Sequence, residues 1–145
     1  MNNTPSQEPN RKNTLNESST PVPKQEKPEL KQFNQFINED FIPGLAKALK
    51  IKGIEPVRIE LKNGDRPVTG DECWMVVCEL SKQRCFWVCF NTDKIISPKT
   101  IALTENGSNP TVLESFLIDE KKITCALLIS RTMQRLNGQK WLGNN

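Results

Sequence analysis

The sequence predicts an α+β fold: a four-stranded antiparallel meander sheet with N-terminal and C-terminal helices packed on it, preceded by a disordered polar tail. Three observations carry this expectation. Apolar residues recur at three- and four-residue spacing between Phe33 and Leu49. Two runs rich in β-formers, Cys73 to Leu80 and Arg84 to Phe90, are joined by the short polar link Ser81-Lys82-Gln83. A second helical run follows Asp119.

Residues 1–31 hold Pro5, Pro9, Pro21, Pro23 and Pro28 among Asn, Ser, Gln, Lys and Glu, with only Leu15, Val22 and Leu30 as aliphatics after Met1. Such a segment buries too little apolar area to offset its ordering entropy, so it is expected to be a disordered tail before a single α+β domain over 32–145. It has no apolar core of the secretory kind and is too acidic and Arg-poor for a transit peptide. No apolar run is long enough to span a bilayer, and any membrane association is expected to run through partners.

From Pro28 the pattern is helical, with Phe33, Phe36, Ile37, Phe41, Leu45, Ala48 and Leu49 on one face and Gly53 closing it. Pro43 interrupts that run. Either Asp40 caps a second helix with Pro43 in its first turn, or one helix is kinked there. Val57, Ile59 and Leu61 alternate with Arg58, Glu60 and Lys62, predicting a half-buried strand that ends at the Asn63-Gly64 turn signal. In the following hairpin Trp74, Val76, Cys78 and Leu80 align with Phe86, Val88 and Phe90. The opposite face, with Met75, Val77, Cys85, Trp87 and Cys89, is apolar as well, so both sides are expected to be covered. Residues 95–104 make a weaker fourth strand that Pro98 pushes toward an edge or a bend. A short helix is expected over 111–117, then a final helix capped by Asp119 and running to about Leu136.

The sequence has 20 Lys and Arg against 17 Asp and Glu, a formal charge of +3, no His and no Tyr. Without His the commonest general base and metal ligand is missing, and no Ser-His or Cys-His pair exists, so no catalytic residue is assigned. The five cysteines, Cys73, Cys78, Cys85, Cys89 and Cys125, are an odd number expected as free, buried structural thiols. Cys73-x4-Cys78 and Cys85-x3-Cys89 lack the tight spacing of zinc or iron-sulfur ligands, and Cys73 and Cys78 point to opposite strand faces, so neither metal nor cofactor is expected. No phosphate loop and no nucleic-acid-binding motif is present.

One feature points to a partner. After Glu120 the sequence contains no acidic residue, which leaves Lys121, Lys122, Arg131, Arg135 and Lys140 locally unbalanced. On a helical projection Cys125, Ala126, Ile129, Met133 and Leu136 share one side, while Lys121, Arg131 and Arg135 cluster opposite with Leu128 among them. The plain reading is that cations complement a helix C-terminus. The functional reading makes Lys121, Leu128, Arg131 and Arg135 a docking surface for an acidic protein.

The segments FINEDFIPGLAKAL, RPVTGDECWMV, ENGSNPTVLESFLIDEKKIT and QRLNGQKWL resemble a cyanobacterial and chloroplast family once catalogued as a domain of unknown function, identified as the V-subunit (NdhV) family of the photosynthetic NAD(P)H dehydrogenase-like complex. The resemblance covers roughly residues 33–142. It implies a small non-catalytic subunit with no redox centre, on the cytoplasmic side of the thylakoid, that stabilises the peripheral arm. There it would help acidic ferredoxin dock in support of cyclic electron transport around photosystem I and of respiration. It transfers no catalytic residue. A stand-alone module enclosing a small apolar ligand is the alternative that the two-sided hairpin suggests.

Overall fold

The computed structural model describes residues 32–143, and the tail expected over 1–31 lies outside the described residues. Five strands form one antiparallel sheet in sequence order: β1 (Arg58–Asp65), β2 (Glu72–Leu80), β3 (Arg84–Phe90), β4 (Lys99–Thr104) and β5 (Glu114–Phe116). The meander is thus one strand larger than expected. Where a short helix was expected over 111–117, Glu114 pairs with Ile101, Ser115 with Thr100 and Phe116 with Lys99. The pairing with β4 draws the segment out of a helix: Phe116 turns into the core at 7% exposure, and Leu117 after it adopts a positive φ of 56°. Strand β4 consequently lies inside the sheet rather than at its edge. Pro98 precedes it in a loop, where its carbonyl accepts from the Asn91 N–H at 3.0 Å.

Strand β1 also runs further than its turn signal suggests. Asn63, Gly64 and Asp65 pair with Trp74, Cys73 and Glu72, and the chain reverses over residues 66–71 instead. There the Arg66 N–H bonds the Asp71 carbonyl at 2.7 Å, with Val68 and Gly70 at positive φ. The β2–β3 hairpin matches its expected limits closely, and its link takes Lys82 and Gln83 to positive φ.

Pairing sorts the side chains into two faces. The inner face carries Val76, Cys78, Leu80, Phe86, Val88, Phe90 and Ile101 into the main core with residues from every helix. The outer face gathers Cys73, Met75, Val77 and Cys89 with Cys85 and Trp87 into a second cluster composed of β2 and β3 residues alone.

The N-terminal helical run comprises α1 (Phe33–Phe36), a π-helical turn (Ile37–Phe41) and α2 (Ile42–Ile51) without a break. Of the two readings of Pro43, the structure takes the single helix, with a π-helical turn ahead of Pro43 where a kink was expected. Pro43 lacks an N–H, and its ring would press on the carbonyl four residues back. The wide turn, in which the Ile42 N–H reaches the Ile37 carbonyl, gives it room. Phe33, Phe36, Ile37, Phe41, Leu45 and Leu49 line the buried side.

The last helix, α3 (Cys125–Gly138), starts later than expected and is capped by Thr124 rather than Asp119. The extended Thr124 accepts the Leu127 N–H on its side-chain oxygen at 3.1 Å. Its deepest residues are Leu128, Thr132 and Leu136, all fully buried, so the helical phase is rotated from the expected one. Ala126, assigned to the core face, is exposed.

Helices α2 and α3 approach closely at Gly44, where an added Cβ would fall 2.4 Å from Ile129 Cδ1. Alanine there is expected to be accommodated by a rotamer change at Ile129. Gly44→Leu is expected to force the helices apart and cost about 1–3 kcal/mol, read as a lower urea midpoint.

Candidate interaction surface

The residues expected to form a basic docking face separate into three environments. Leu128 sits at 0% exposure in the main core, beneath α3, and touches no solvent. Its burial corrects the expected arc. Thr132 explains why the phase misleads, since its hydroxyl donates to the Leu128 carbonyl at 2.8 Å and so hides a polar residue in the core.

Arg131 and Arg135 flank that buried stripe and are both held by acids upstream. Arg135 clasps Glu114 of β5 with Nε at 2.7 Å from Oε1 and Nη2 at 2.6 Å from Oε2, while Nη1 donates to Gln139 at 3.1 Å. This two-pronged contact, partly shielded from water, raises the Arg135 pKa and lowers that of Glu114 through their hydrogen bonds. Arg131 pairs with Glu120 at 3.2 Å. Counting acids only downstream of Glu120 overlooked Glu114 and Glu120 themselves, which the fold returns to the helix.

Lys121 is exposed, as is Lys122, but both lie in the segment between β5 and α3 rather than on the helix. That segment also carries Ile118 at 69% exposure. The exposed apolar residue near the cations is therefore Ile118, which falls between the two helices expected from the sequence.

Two polar clusters fix the sheet ends around this surface. Arg66, only 7% exposed, donates to Asp71 at 3.1 Å, Thr100 at 2.8 Å and Asn91 at 2.6 Å, tying the β1–β2 loop to β3 and β4. At the other end Trp141 folds back at 3% exposure. Its indole N–H donates to Glu105 Oε2 at 2.6 Å, Gln139 reaches the same oxygen at 3.3 Å, and Arg84 stacks 5.4 Å from the ring. The Trp141 hydrogen bond leads in holding the Glu105 carboxyl below the usual range.

The five cysteines form no disulfide; Cys73, Cys78 and Cys89 are buried as expected, whereas Cys85 and Cys125 are only partly buried. Cys73 belongs to the outer cluster and Cys78 to the inner core, on opposite faces as expected. Burial pushes the Cys78 and Cys89 thiols up to about 12 and Cys85 to about 11, so they stay protonated at neutral pH. Among the described residues no three His, Cys, Asp or Glu side chains converge as metal ligands. Lys99 is a buried cation that the sequence did not signal. At 3% exposure its Nζ donates to the Ser97 carbonyl at 2.8 Å and lies 5.9 Å from the Phe90 ring centre, and burial lowers its pKa to about 8.

Two outcomes follow from these placements. Leu128→Ala is expected to cost about 2–5 kcal/mol of stability, measurable by urea unfolding, as for a core leucine. The Lys99 pKa in the fold, about 8, lies below its free value of 10.5, so the unfolded chain binds more protons across that range and stability rises with pH. The raised thiols act oppositely, conferring stability below pH 9 that is lost toward pH 11 to 12. Between pH 8 and 9 the Lys99 gain, about 1 kcal/mol, is offset by a loss of similar size from the three thiols, so stability is expected to stay level there and to fall above pH 9. Lys99→Met removes the gain and is expected to make stability fall already between pH 8 and 9.

A comparison with curated proteins yields no match. A family profile described as "Protein of unknown function (DUF2996)" matches residues 27–143, which takes in every strand and helix described above, and the chain therefore belongs to that family.

Proposed function

We propose that the protein is a non-catalytic accessory subunit of the thylakoid NAD(P)H dehydrogenase-like complex, peripheral on the cytoplasmic side of the cyanobacterial membrane. In this reading it stabilises the peripheral arm and helps acidic ferredoxin dock for cyclic electron transport. The observation that carries the proposal is the sequence block ENGSNPTVLESFLIDEKKIT with QRLNGQKWL, which resembles the V-subunit family.

The structure gives that block a physical reason to hang together. Glu105 holds Trp141 and Gln139, and Glu114 holds Arg135, so its two halves are interlocked by side chains. Such an arrangement suits a scaffold with a fixed exposed segment. Protonated, buried thiols also suit a subunit that carries no chemistry of its own. With Arg131 and Arg135 paired to acids of the chain and Lys140 beyond the end of α3, the cations that share a segment with the exposed Ile118 are Lys121 and Lys122, and these are left for an acidic partner.

A tagged protein is expected to co-purify with dehydrogenase subunits from cyanobacterial thylakoid extracts, and recovery solely as a free protein refutes the subunit role. In a ferredoxin binding titration, the pair Lys121→Glu and Lys122→Glu is expected to weaken affinity about tenfold or more at low salt without lowering the unfolding midpoint. Equal affinity for variant and wild type removes the electrostatic contribution. Native mass spectrometry with a reproducible bound mass instead favours the stand-alone ligand-binding module.

A further inference from the structure

Strand β1 ends the sheet, and among the described residues no strand pairs with its far side. It is eight residues long, Arg58 to Asp65, without proline. An edge of this length offers a row of unpaired backbone donors and acceptors.

Which groups face outward follows from the pairing. Glu79, opposite Arg58, directs its carbonyl toward β1, where it receives the Val57 N–H at 2.8 Å, and Arg66 bonds Asp71 at 2.7 Å. The even-numbered residues of β1 therefore bond β2. Ile59, Leu61 and Asn63 turn their N–H and C=O groups away from it. Side chains alternate independently: Arg58, Glu60 and Lys62 stand on the outer face opposite Glu79, Val77 and Met75, whereas Ile59 and Leu61 pack partly buried on the inner core.

Edge strands are commonly protected by a charged residue that repels a second strand. Here the protection is cancelled by symmetry. Two antiparallel copies of β1 centred on Leu61 place Ile59 opposite Asn63, with outward backbone groups meeting one another, and place Glu60 opposite Lys62 twice. Those charged pairs fall at the narrow, non-hydrogen-bonded positions, where cross-strand side chains are closest. Arg58 then faces Gly64, which presents no side chain. Sliding two residues one way sets Glu60 against Glu60 and Arg58 against Lys62, and sliding the other way sets Lys62 against Lys62. Centring on Ile59 would oppose Arg58 to Glu60 but overlap only residues 58–60 of β1, so the Leu61-centred register alone satisfies backbone and charge while pairing most of the strand.

We propose that β1 is the interface of a symmetric homodimer in which the β1 strands of two copies pair antiparallel about Leu61, joining their sheets. The occupant of the edge is a second copy of this chain because the strand is complementary to itself. Leu61 meets its twin on the inner face and extends the core across the two-fold axis.

Sedimentation equilibrium of the full chain over a concentration series tests this. Wild type is expected to show a monomer–dimer equilibrium. Glu60→Lys and Lys62→Glu are each expected to weaken it about tenfold, because each variant places like charges opposite one another at both symmetric positions. An equimolar mixture of the two variants restores opposite charges in the heterodimer, as does the double variant E60K/K62E with itself, and both are expected to recover wild-type affinity. Asn63→Pro removes an outward N–H and no backbone bond to β2, but also the Asn63 Nδ2 donation to the Cys73 carbonyl at 3.3 Å; it is expected to weaken the dimer more than Asn63→Ala, which loses that donation alone, while circular dichroism stays unchanged. A wild type that is monomeric throughout, a dimer indifferent to the single variants, or a mixture that fails to recover overturns the proposal.

Discussion

Everything else rests on the cross-strand register of the central sheet. Leu61, Val76, Val88 and Ile101 lie in one row, Cys78, Phe86 and Leu103 in the next, and Trp74, Phe90, Lys99 and Phe116 in a third. Those rows make the floor on which helices from both ends of the described region close. A slip of one residue in β3 would exchange Phe86, Val88 and Phe90 for Cys85, Trp87 and Cys89 on the helix side. Because both faces are apolar, alternation alone specifies register weakly here. The discriminating groups are the aromatic contacts of Phe33, whose ring lies 5.1 Å from Phe90 and 6.0 Å from Trp74, together with the polar clasp of Arg66.

How far the fold was legible follows the same logic. Strands β1, β2 and β3 were readable because Val, Ile, Cys and Phe recur with period two between polar links, and the first helical run because its apolar spacing is regular. The segment 111–117 was not, since Val112, Leu113, Phe116 and Leu117 satisfy helical spacing equally well. Long-range pairing with β4 decided it, and no local pattern encodes a partner outside its own window. The π-helical turn is likewise invisible from composition, although Pro43 announced that something had to give. The α3 phase failed for a nameable reason: Thr132 is counted as polar by any pattern rule, yet its hydroxyl is satisfied by the turn beneath it.

The candidate surface was legible in segment and not in membership. Lys121 and its neighbours were visible as a local excess of positive charge, but charge counted along the sequence ignores what folding returns. Glu114 and Glu120 precede the helix in sequence and flank it in space, so two of the three named cations became structural. Lys99 and Arg66 show the reverse failure. Both are long cations that a pattern reader sends to solvent, and both are buried, one beside an aromatic ring and the other among three side-chain oxygens.

That redistribution bears on the choice between a solvated charge run and a docking surface. Arg135, in the last turn of α3, fits the ordinary preference of cations for the negative end of a helix, and its bond to Glu114 accounts for the rest. Lys121 and Lys122 do not fit it. They stand just ahead of the Thr124 cap, outside the helix and toward the positive end of its dipole, and the first turn of that helix holds no acidic residue. There the helix dipole gives a cation no support. A pair of cations placed where helix electrostatics do not support them, next to an exposed isoleucine, is not explained by stability of the fold. Lys121 and Lys122 are therefore what the proposed acidic partner would meet, with less charge than the sequence first suggested and at a more specific position.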